Sequence, residues 1–245
     1  MNFDFLFRPF EHIDAWLTGL FSGAPLLVAL AIAFALGLRH ASDPDHLVAV
    51  TSLVASDDGD TRRAARLGAW WGLGHAGTLL VVGLPLIFLK SSLPDWLENG
   101  AERAVGVVIL LLALRVMLKW LRGDYRVDRH SHPDGHTAEE RHLQKGHGHR
   151  HVRTPRQALS IGMLHGLAGT GAVVLLLIAA LPSQLEAAAA LAVFAPMSLV
   201  SMALCTTAFA WVLTRPWIQP LYRTVLIPGF GLFGLTFGLW YAGLG

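Results

Sequence analysis

The chain has 245 residues, of which 53% are hydrophobic and 15% charged, and its formal net charge is +2. With a mean hydropathy of +0.50, this composition excludes an ordinary soluble domain and favours an integral membrane protein. The single cysteine, Cys205, excludes a disulfide framework, a thiolate metal site and a dithiol relay within one chain. Most basic residues lie in loops between apolar segments, so we expect them to orient the chain in a membrane rather than to bind nucleic acid.

Residues 1–23 precede the first long apolar segment and contain acidic residues and Pro9. This content is unlike a cleavable signal peptide, in which a basic start leads directly into an apolar stretch. The Phe and Trp side chains of the segment instead predict an interfacial segment that lies on the membrane.

Six segments are long and apolar enough to cross a bilayer, whose hydrocarbon core of about 30 Å requires roughly 20 residues per helix. They are residues 24–55, 66–90, 101–122, 156–181, 185–213 and 222–244. We therefore predict an all-α integral membrane protein with six transmembrane helices. A first three-helix half, 24–122, and a second half, 156–245, would flank a polar loop, 123–155.

The basic residues predict the orientation of these spans. The three connections after odd-numbered spans contain 14 Lys and Arg residues, whereas the opposite side contains 3. Because Lys and Arg concentrate in cytoplasmic loops, we expect both termini outside and the loop 123–155 in the cytoplasm. The chain would then be a multi-pass protein of the cytoplasmic (inner) membrane.

The loop 123–155 holds seven of the 12 histidines and shows no apolar periodicity. Its polar composition predicts a flexible segment, and His-rich tracts bind nickel, cobalt, zinc and copper. An alternative is a solvated linker whose histidines have no role. The metal-binding interpretation predicts auxiliary contacts from His130, His132, His136, His147, His149 and His151.

The stretch RHASDPDH, residues 39–46, places five charged or imidazole side chains inside the first apolar segment. Pro44 removes a backbone donor and disfavours helical geometry at Asp43, so we predict that the first helix is broken at Pro44. Asp43 as the N-cap, with Pro44 at the first helical position, would restart the helix. Broken helices near the bilayer midplane are where secondary transporters build ion sites.

Charged side chains within a membrane are costly, about 2.5–3.5 kcal/mol for one aspartate at the centre of a helix. They are tolerated where they face a partner or a water-filled cavity. Asp43 can be explained by pairing with Arg39, and this structural role stays open beside a role as a ligand. Pairing does not explain His40, Asp45 and His46, which form a nitrogen and oxygen ligand set suited to divalent nickel, cobalt or zinc.

Two further histidines are predicted to reach the same depth. His75 lies nine residues beyond Arg66, and His165 lies nine residues beyond Arg156, at the cytoplasmic ends of the second and fourth spans. His46 lies nine residues before the end of the first segment. At 1.5 Å per residue, each is about 13.5 Å deep, near the midplane. One such histidine is usually a helix–helix hydrogen bond, whereas three at one depth beside two aspartates predict a site.

The first and fourth spans also resemble each other. GLRHASDPDHLVAV aligns with GMLHGLAGTGAVVL when Gly37 is matched to Gly162 and His40 to His165. These two spans are predicted to run in opposite directions. The pattern is compatible with a three-plus-three inverted repeat, an arrangement common among secondary transporters.

RHASDPDHL resembles the His-x-x-x-x-Asp-His signature of the nickel/cobalt transporter family, with His40, Asp45 and His46 in the signature positions. LGHAGT resembles the family's second histidine motif and places His75. The length and the His-rich loop are similar to the shorter branch, which includes urease-accessory-type permeases and efflux proteins. Later family motifs contain acidic residues, but LHGLAGTGA stands here, which leaves His165 as the best ligand of the second half. The helping hydroxyl groups would be those of Thr170, Ser198, Ser201 and Thr206.

The resemblance implies transport of Ni²⁺ or Co²⁺ as the substrate, with uptake expected, lipid as the surroundings and no organic cofactor. An efflux protein that uses the same residues stays open, as does self-association into a homo-oligomer. An intramembrane metal-dependent enzyme is a rival of a different class, but it would need an acid beside the metal, as in His-Glu-x-x-His, and that motif is not in the sequence.

Overall fold

The structure is a computed structural model that describes residues 3–20, 25–55, 61–123, 154–213 and 215–244, and all regular structure in these ranges is helical. Before the His-rich loop the chain forms α1 (Asp4–Gly19), α2 (Leu26–His40), α3 (Pro44–Ala55), α4 (Thr61–Leu89) and α5 (Asp95–Leu121). After the loop it forms α6 (Pro155–Ala180), α7 (Gln184–Leu213), the short α8 (Gln219–Leu221), a π-helical turn (Tyr222–Leu226) and α9 (Ile227–Tyr241).

The all-helical prediction is confirmed, and the number of spans is confirmed in part. Among the described residues, four helical stretches are long and apolar enough to cross a membrane: α4, α5, α7 and Thr224–Tyr241. The pair α2–α3, bent by 41° at its break, would be a fifth span. The remaining predicted span, 156–181, coincides with α6, and its crossing of the membrane stays a prediction.

The break between α2 and α3 lies where the sequence predicted it. The amides of Ser42 and Asp43 donate to the carbonyls of Arg39 and His40, at 2.8 and 3.2 Å, in a tightened last turn. Pro44 has no N–H to continue the ladder. A new helix therefore begins, and its first bond runs from the Leu47 amide to the Asp43 carbonyl at 2.9 Å.

The helix α4 lies at the centre of the bundle, with α6 and α7 packed along it, and α2 packs on α7. Glycines permit the closest approaches. An added Cβ at Gly162 would collide with the carbonyl of Trp71, and one at Gly74 would collide with the carbonyl of Leu159. Such small residues let membrane helices bring their backbones together, and here they hold α6 directly against the middle of α4.

The helix α1 falls inside the predicted interfacial segment 1–23 and packs beside α2 and α6. Phe3 contacts the ring of Phe237 on α9 at 5.6 Å, and Phe7 contacts the ring of Trp240 at 6.1 Å. These aromatic contacts pack the segment against α9. Its position relative to a membrane stays a prediction.

Candidate metal site

The break in the first span places three polar side chains together. His40 is the last residue of α2, and Asp45 and His46 lie in the first turn of α3. The rings of His40 and His46 lie 4.5 Å apart between centroids. In one continuous helix, positions separated by five and six residues point to different faces. The bent connection therefore allows all three side chains to face the same point.

The central helix α4 contributes His75, whose side chain is completely buried. Its Nε2 lies 3.0 Å from Nε2 of His40, so one of the two rings donates and the other accepts if both are neutral. The His75 ring also lies 5.3 Å from that of His46. Gly74, the residue before His75, packs directly against the backbone of α6. This contact holds the middle of α4 close to His165 of α6.

The helix α6 contributes His165, which is also buried. Its Nε2 lies 2.8 Å from Asp45 Oδ2. The other carboxylate oxygen, Asp45 Oδ1, lies 3.1 Å from His46 Nδ1, and the rings of His46 and His165 are 4.3 Å apart. The histidines predicted to share one depth therefore lie in one cluster.

Two of these rings have buried nitrogens that make no hydrogen bond with any residue the structure describes. They are both ring nitrogens of His46 and Nδ1 of His75; the 3.1 Å approach of His46 Nδ1 to Asp45 lacks hydrogen-bond alignment. A buried polar group without a partner costs free energy and needs an explanation. A neutral imidazole has one ring nitrogen with a free lone pair, and such a nitrogen in a buried cluster is suited to bind a metal ion.

The cluster contains two groups of three ligand atoms that could each hold a metal ion. The first group is His40, His46 and His75, and the second is Asp45, His46 and His165. Within each group the ligand atoms lie within 4.8 Å of one another. One group offers three imidazole nitrogens and the other two nitrogens and an oxygen, donor sets that suit nickel, cobalt, zinc or copper. His46 belongs to both groups.

Asp43 lies outside both groups. Its Oδ1 is 3.0 Å from the Arg39 guanidinium, and its Oδ2 is 3.2 Å from His40 Nδ1. The pairing with Arg39 that the sequence left open is therefore what the structure contains. A carboxylate that contacts the second nitrogen of a ligand histidine fixes the tautomer and orientation of the ring. Asp43 is placed to orient the His40 ring in this way.

Three of the hydroxyl residues named from the sequence make hydrogen bonds to the backbone. The hydroxyls of Ser198, Ser201 and Thr206 donate to the backbone carbonyls of Ala195, Leu38 and Met202, respectively. The Thr170 side chain and the six loop histidines lie outside the described part of the chain.

Two aromatic residues at the cluster were missed. Trp71 contacts the rings of His46 and His165 at 5.5 and 5.7 Å, and Phe194 contacts the ring of His40 at 5.3 Å. Trp71 could have been found, because it precedes His75 by one helical turn and so shares its face. Phe194 had no such signal, since its contact joins helices far apart in the chain.

Comparison with known proteins identifies the family. Residues 26–226 match the model of the NicO family, described as high-affinity nickel-transport protein. The urease accessory protein UreH of Bacillus sp. (strain TB-90) is 27% identical over 216 residues, which cover 88% of this chain and 91% of that protein.

Two further relatives match shorter stretches. A high-affinity nickel transport protein of Cupriavidus necator is 34% identical over 140 residues, 53% of this chain and 39% of that protein. The hydrogenase nickel incorporation protein HupN of Bradyrhizobium diazoefficiens is 35% identical over 107 residues, 42% of this chain and 28% of that protein. No solved structure matches the chain significantly. The role named by the family, nickel transport, is not enzymatic, and the chain belongs to this high-affinity nickel-transport protein family.

Proposed function

We propose that the chain carries Ni²⁺, and also Co²⁺, into the cell across the cytoplasmic membrane through the buried cluster of histidines and Asp45. The observation that carries this proposal is the pair of ligand groups that share His46. The name of one relative, a hydrogenase nickel incorporation protein, supports uptake, because incorporation requires nickel inside the cell.

The donor atoms support selectivity for these metals. Imidazole nitrogens favour nickel and cobalt over magnesium and calcium, which prefer oxygen ligands. The incoming ion sheds water and binds His40, His46 and His75; it then exchanges two of these ligands for Asp45 and His165 while it stays bound to His46. Because each exchange replaces one ligand by another, no step leaves the ion without protein ligands.

The three-plus-three inverted repeat is part of the proposal, and helix packing supports it. In such a repeat α2–α3 corresponds to α6, α4 to α7, and α5 to α9. The contact of α2 with α7 would then match that of α6 with α4, and both contacts are extensive. Gly37 lies against α7 as Gly162 lies against α4, in agreement with the alignment of these two glycines.

We further propose the topology and organisation predicted from the sequence: an interfacial segment 1–23, halves 24–122 and 156–245, both termini outside and the His-rich loop 123–155 in the cytoplasm. A cysteine in place of His136, in a Cys205→Ser background, tests this orientation. An impermeant thiol reagent should label it in inside-out vesicles and leave it unlabelled in right-side-out vesicles. The reverse result would reject the topology.

Uptake of radioactive nickel and cobalt into right-side-out vesicles tests the proposed function. We expect time-dependent accumulation, competition between the two metals, and loss of accumulation in His46→Ala. The matched control is His12→Ala, because His12 is an exposed histidine on α1 and should transport normally. Accumulation only in inside-out vesicles would identify an efflux protein that uses the same cluster.

A further inference from the structure

Two aromatic side chains lie against the ligand cluster from different helices. The Trp71 ring, on α4, contacts His165 at 5.7 Å with an interplanar angle of 78°. The Phe194 ring, on α7, contacts His40 at 5.3 Å with an angle of 64°. Both aromatic side chains are buried, with 2% and 5% of their surface exposed. Each therefore makes an edge-on contact with one histidine of the cluster, and Trp71 also contacts His46 at 5.5 Å with an angle of 38°.

The backbone around these rings is arranged in the same way in the two halves. An added Cβ at Gly162 would meet the carbonyl oxygen of Trp71 first, and an added Cβ at Gly37 would meet the carbonyl oxygen of Phe194 first, at 2.6 Å. His165 and His40 each follow their glycine by three residues. The ring pair Trp71 and His165 thus corresponds to the ring pair Phe194 and His40.

A second contact supports this correspondence independently. Four residues beyond these glycines, a Cβ on Gly166 would lie 3.0 Å from Cβ of Thr78. The matching residue of α2–α3, Ala41, donates its amide to Ser201 Oγ at 3.4 Å. Thr78 and Ser201 each follow their aromatic residue by seven positions, so one register relates the two sets of contacts.

The two rings approach the cluster from opposite ends of the bundle. The helices α4 and α7 are antiparallel, because Gly68 lies against Thr206 whereas Gly72 lies against Leu199. Trp71 precedes His75 by one turn, about 6 Å along α4. Phe194 likewise lies one turn before Ser198, the residue of α7 that corresponds to His75. Because the two helices run in opposite directions, Trp71 lies toward one face of the membrane and Phe194 toward the other.

We propose that Trp71 and Phe194 are the two occluding side chains of the transport path, one closing the ligand cluster toward each face of the membrane. This inference rests on the proposed function, since it takes the cluster as the place where the ion is held. In this proposal, the arrangement with both rings buried is the occluded state. Alternating access then requires one ring at a time to leave its histidine.

The packing of the rings is suited to such movement. The indole N–H of Trp71 is buried and makes no hydrogen bond with a described residue, and a phenyl ring has no hydrogen bond to break. Packing alone holds both rings, so a small shift of α7 relative to α4 can release one of them. A polar side chain in either place would exchange hydrogen bonds at every opening.

Thiol accessibility tests the proposal without any metal. The probe is His75→Cys, at the completely buried centre of the cluster, in a Cys205→Ser background reconstituted with a known orientation. A small impermeant methanethiosulfonate should react slowly from either face. Phe194→Ala should raise the rate at least about tenfold from one face only, the change produced by lowering a barrier by about 1.36 kcal/mol. Trp71→Ala should do so from the opposite face only.

Matched controls separate occlusion from general loosening. Trp70→Ala and Phe34→Ala remove exposed aromatic rings of α4 and α2 and should leave both rates unchanged. If Trp71→Ala does not purify as a monodisperse protein, Trp71→Leu replaces it with a smaller side chain that keeps part of the packing. Unchanged rates, or faster reaction from the same face in both variants, would overturn the proposal. If the wild-type protein fails to transport nickel, the proposed function is overturned instead. The labelling rates are measured without metal, so the two failures can be told apart.

Discussion

In the proposed inverted repeat, the stretches 40–46 and 165–171 would occupy matching places in the two halves, but they contribute differently to the cluster. Each begins with a histidine three residues beyond a glycine that lies on a neighbouring carbonyl. In the first stretch the helix ends at His40 and restarts at Pro44, whereas α6 continues through the second. Gly169 stands in α6 where Pro44 interrupts the first span.

This difference shows how an unbroken helix limits the number of ligands that it can supply. Side chains on one helical face are three or four residues apart, so an unbroken helix cannot direct the side chains of a residue and of the residues five and six positions later at one point. The break removes this limit and lets His40, Asp45 and His46 converge. The first of the two proposed halves would therefore supply most of the candidate ligands, although α2 packs extensively on α7 and α6 packs extensively on α4.

The largest expected effect comes from removing the ligand that both groups share. His46→Ala leaves each group with two ligands, so nickel uptake should fall to the background of vesicles without the protein. Calorimetric titration of purified protein with Ni²⁺ should show no binding at the cluster. Uptake at the normal rate would mean that the transported ion binds elsewhere.

Removing the break, so that the first span becomes continuous like α6, should reduce nickel binding nearly as much. Pro44→Ala restores the backbone donor and the helical geometry that proline excludes, so α2 and α3 should approach one helix and turn Asp45 away from His165. We expect nickel affinity to fall by more than the roughly 10- to 100-fold that loss of a partner beside a ligand costs. Pro85→Ala, in the interior of α4, is the matched control, because Pro85 lies ten residues beyond His75. Equal affinity in Pro44→Ala and wild type would show that the break is not needed for binding.

Asp43→Asn tests the orienting contact of the first stretch with a smaller change. Asparagine can still accept from His40 Nδ1 but no longer carries the charge that faces Arg39. We expect nickel affinity to fall by about 10- to 100-fold, with maximal uptake largely retained. If uptake is lost as completely as in His46→Ala, Asp43 is itself a ligand during transport.

The smallest effect is expected from the His-rich loop. Replacing its seven histidines by glutamine keeps the loop length and should raise the nickel concentration for half-maximal uptake severalfold, while uptake at saturating nickel stays normal. Neutral imidazole binds metal and imidazolium does not, so this difference from wild type should disappear as the pH falls below about 6.5. A variant as inactive as His46→Ala would place the loop in the transport path.

The parts of the fold that depend on local composition could be predicted from the sequence. The positions of the long helices followed from apolar length and the break from Pro44, although α4 begins at Thr61 and α5 at Asp95, before the predicted starts. Hydropathy marks only the part of a helix inside the hydrocarbon core, whereas a helix can continue beyond it.

The cluster could be predicted in composition but not in arrangement. A common depth brought His46, His75 and His165 together in the prediction, because depth depends only on the rise per residue. The contact of Phe194 with His40 and the pairing of Asp43 with Arg39 and His40 depend on which helix packs on which, and on rotamers. Neither the helix packing nor the rotamers can be predicted from a local sequence pattern.

The helix packing also has a consequence for membrane insertion during synthesis. The contacts concerned are those of α2 with α7, of α4 with α6 and α7, and of α5 with α9. Each large contact joins a helix synthesised early to one synthesised late, and α2 and α4 have no extensive contact with each other in the described chain. Membrane helices insert one by one and associate afterwards. During synthesis, lipid must therefore cover the faces around Gly37 and Gly74 until their partners emerge. We therefore expect the first three spans to be stable together only once their partners have been inserted, and the cluster to be complete only once α6 supplies His165.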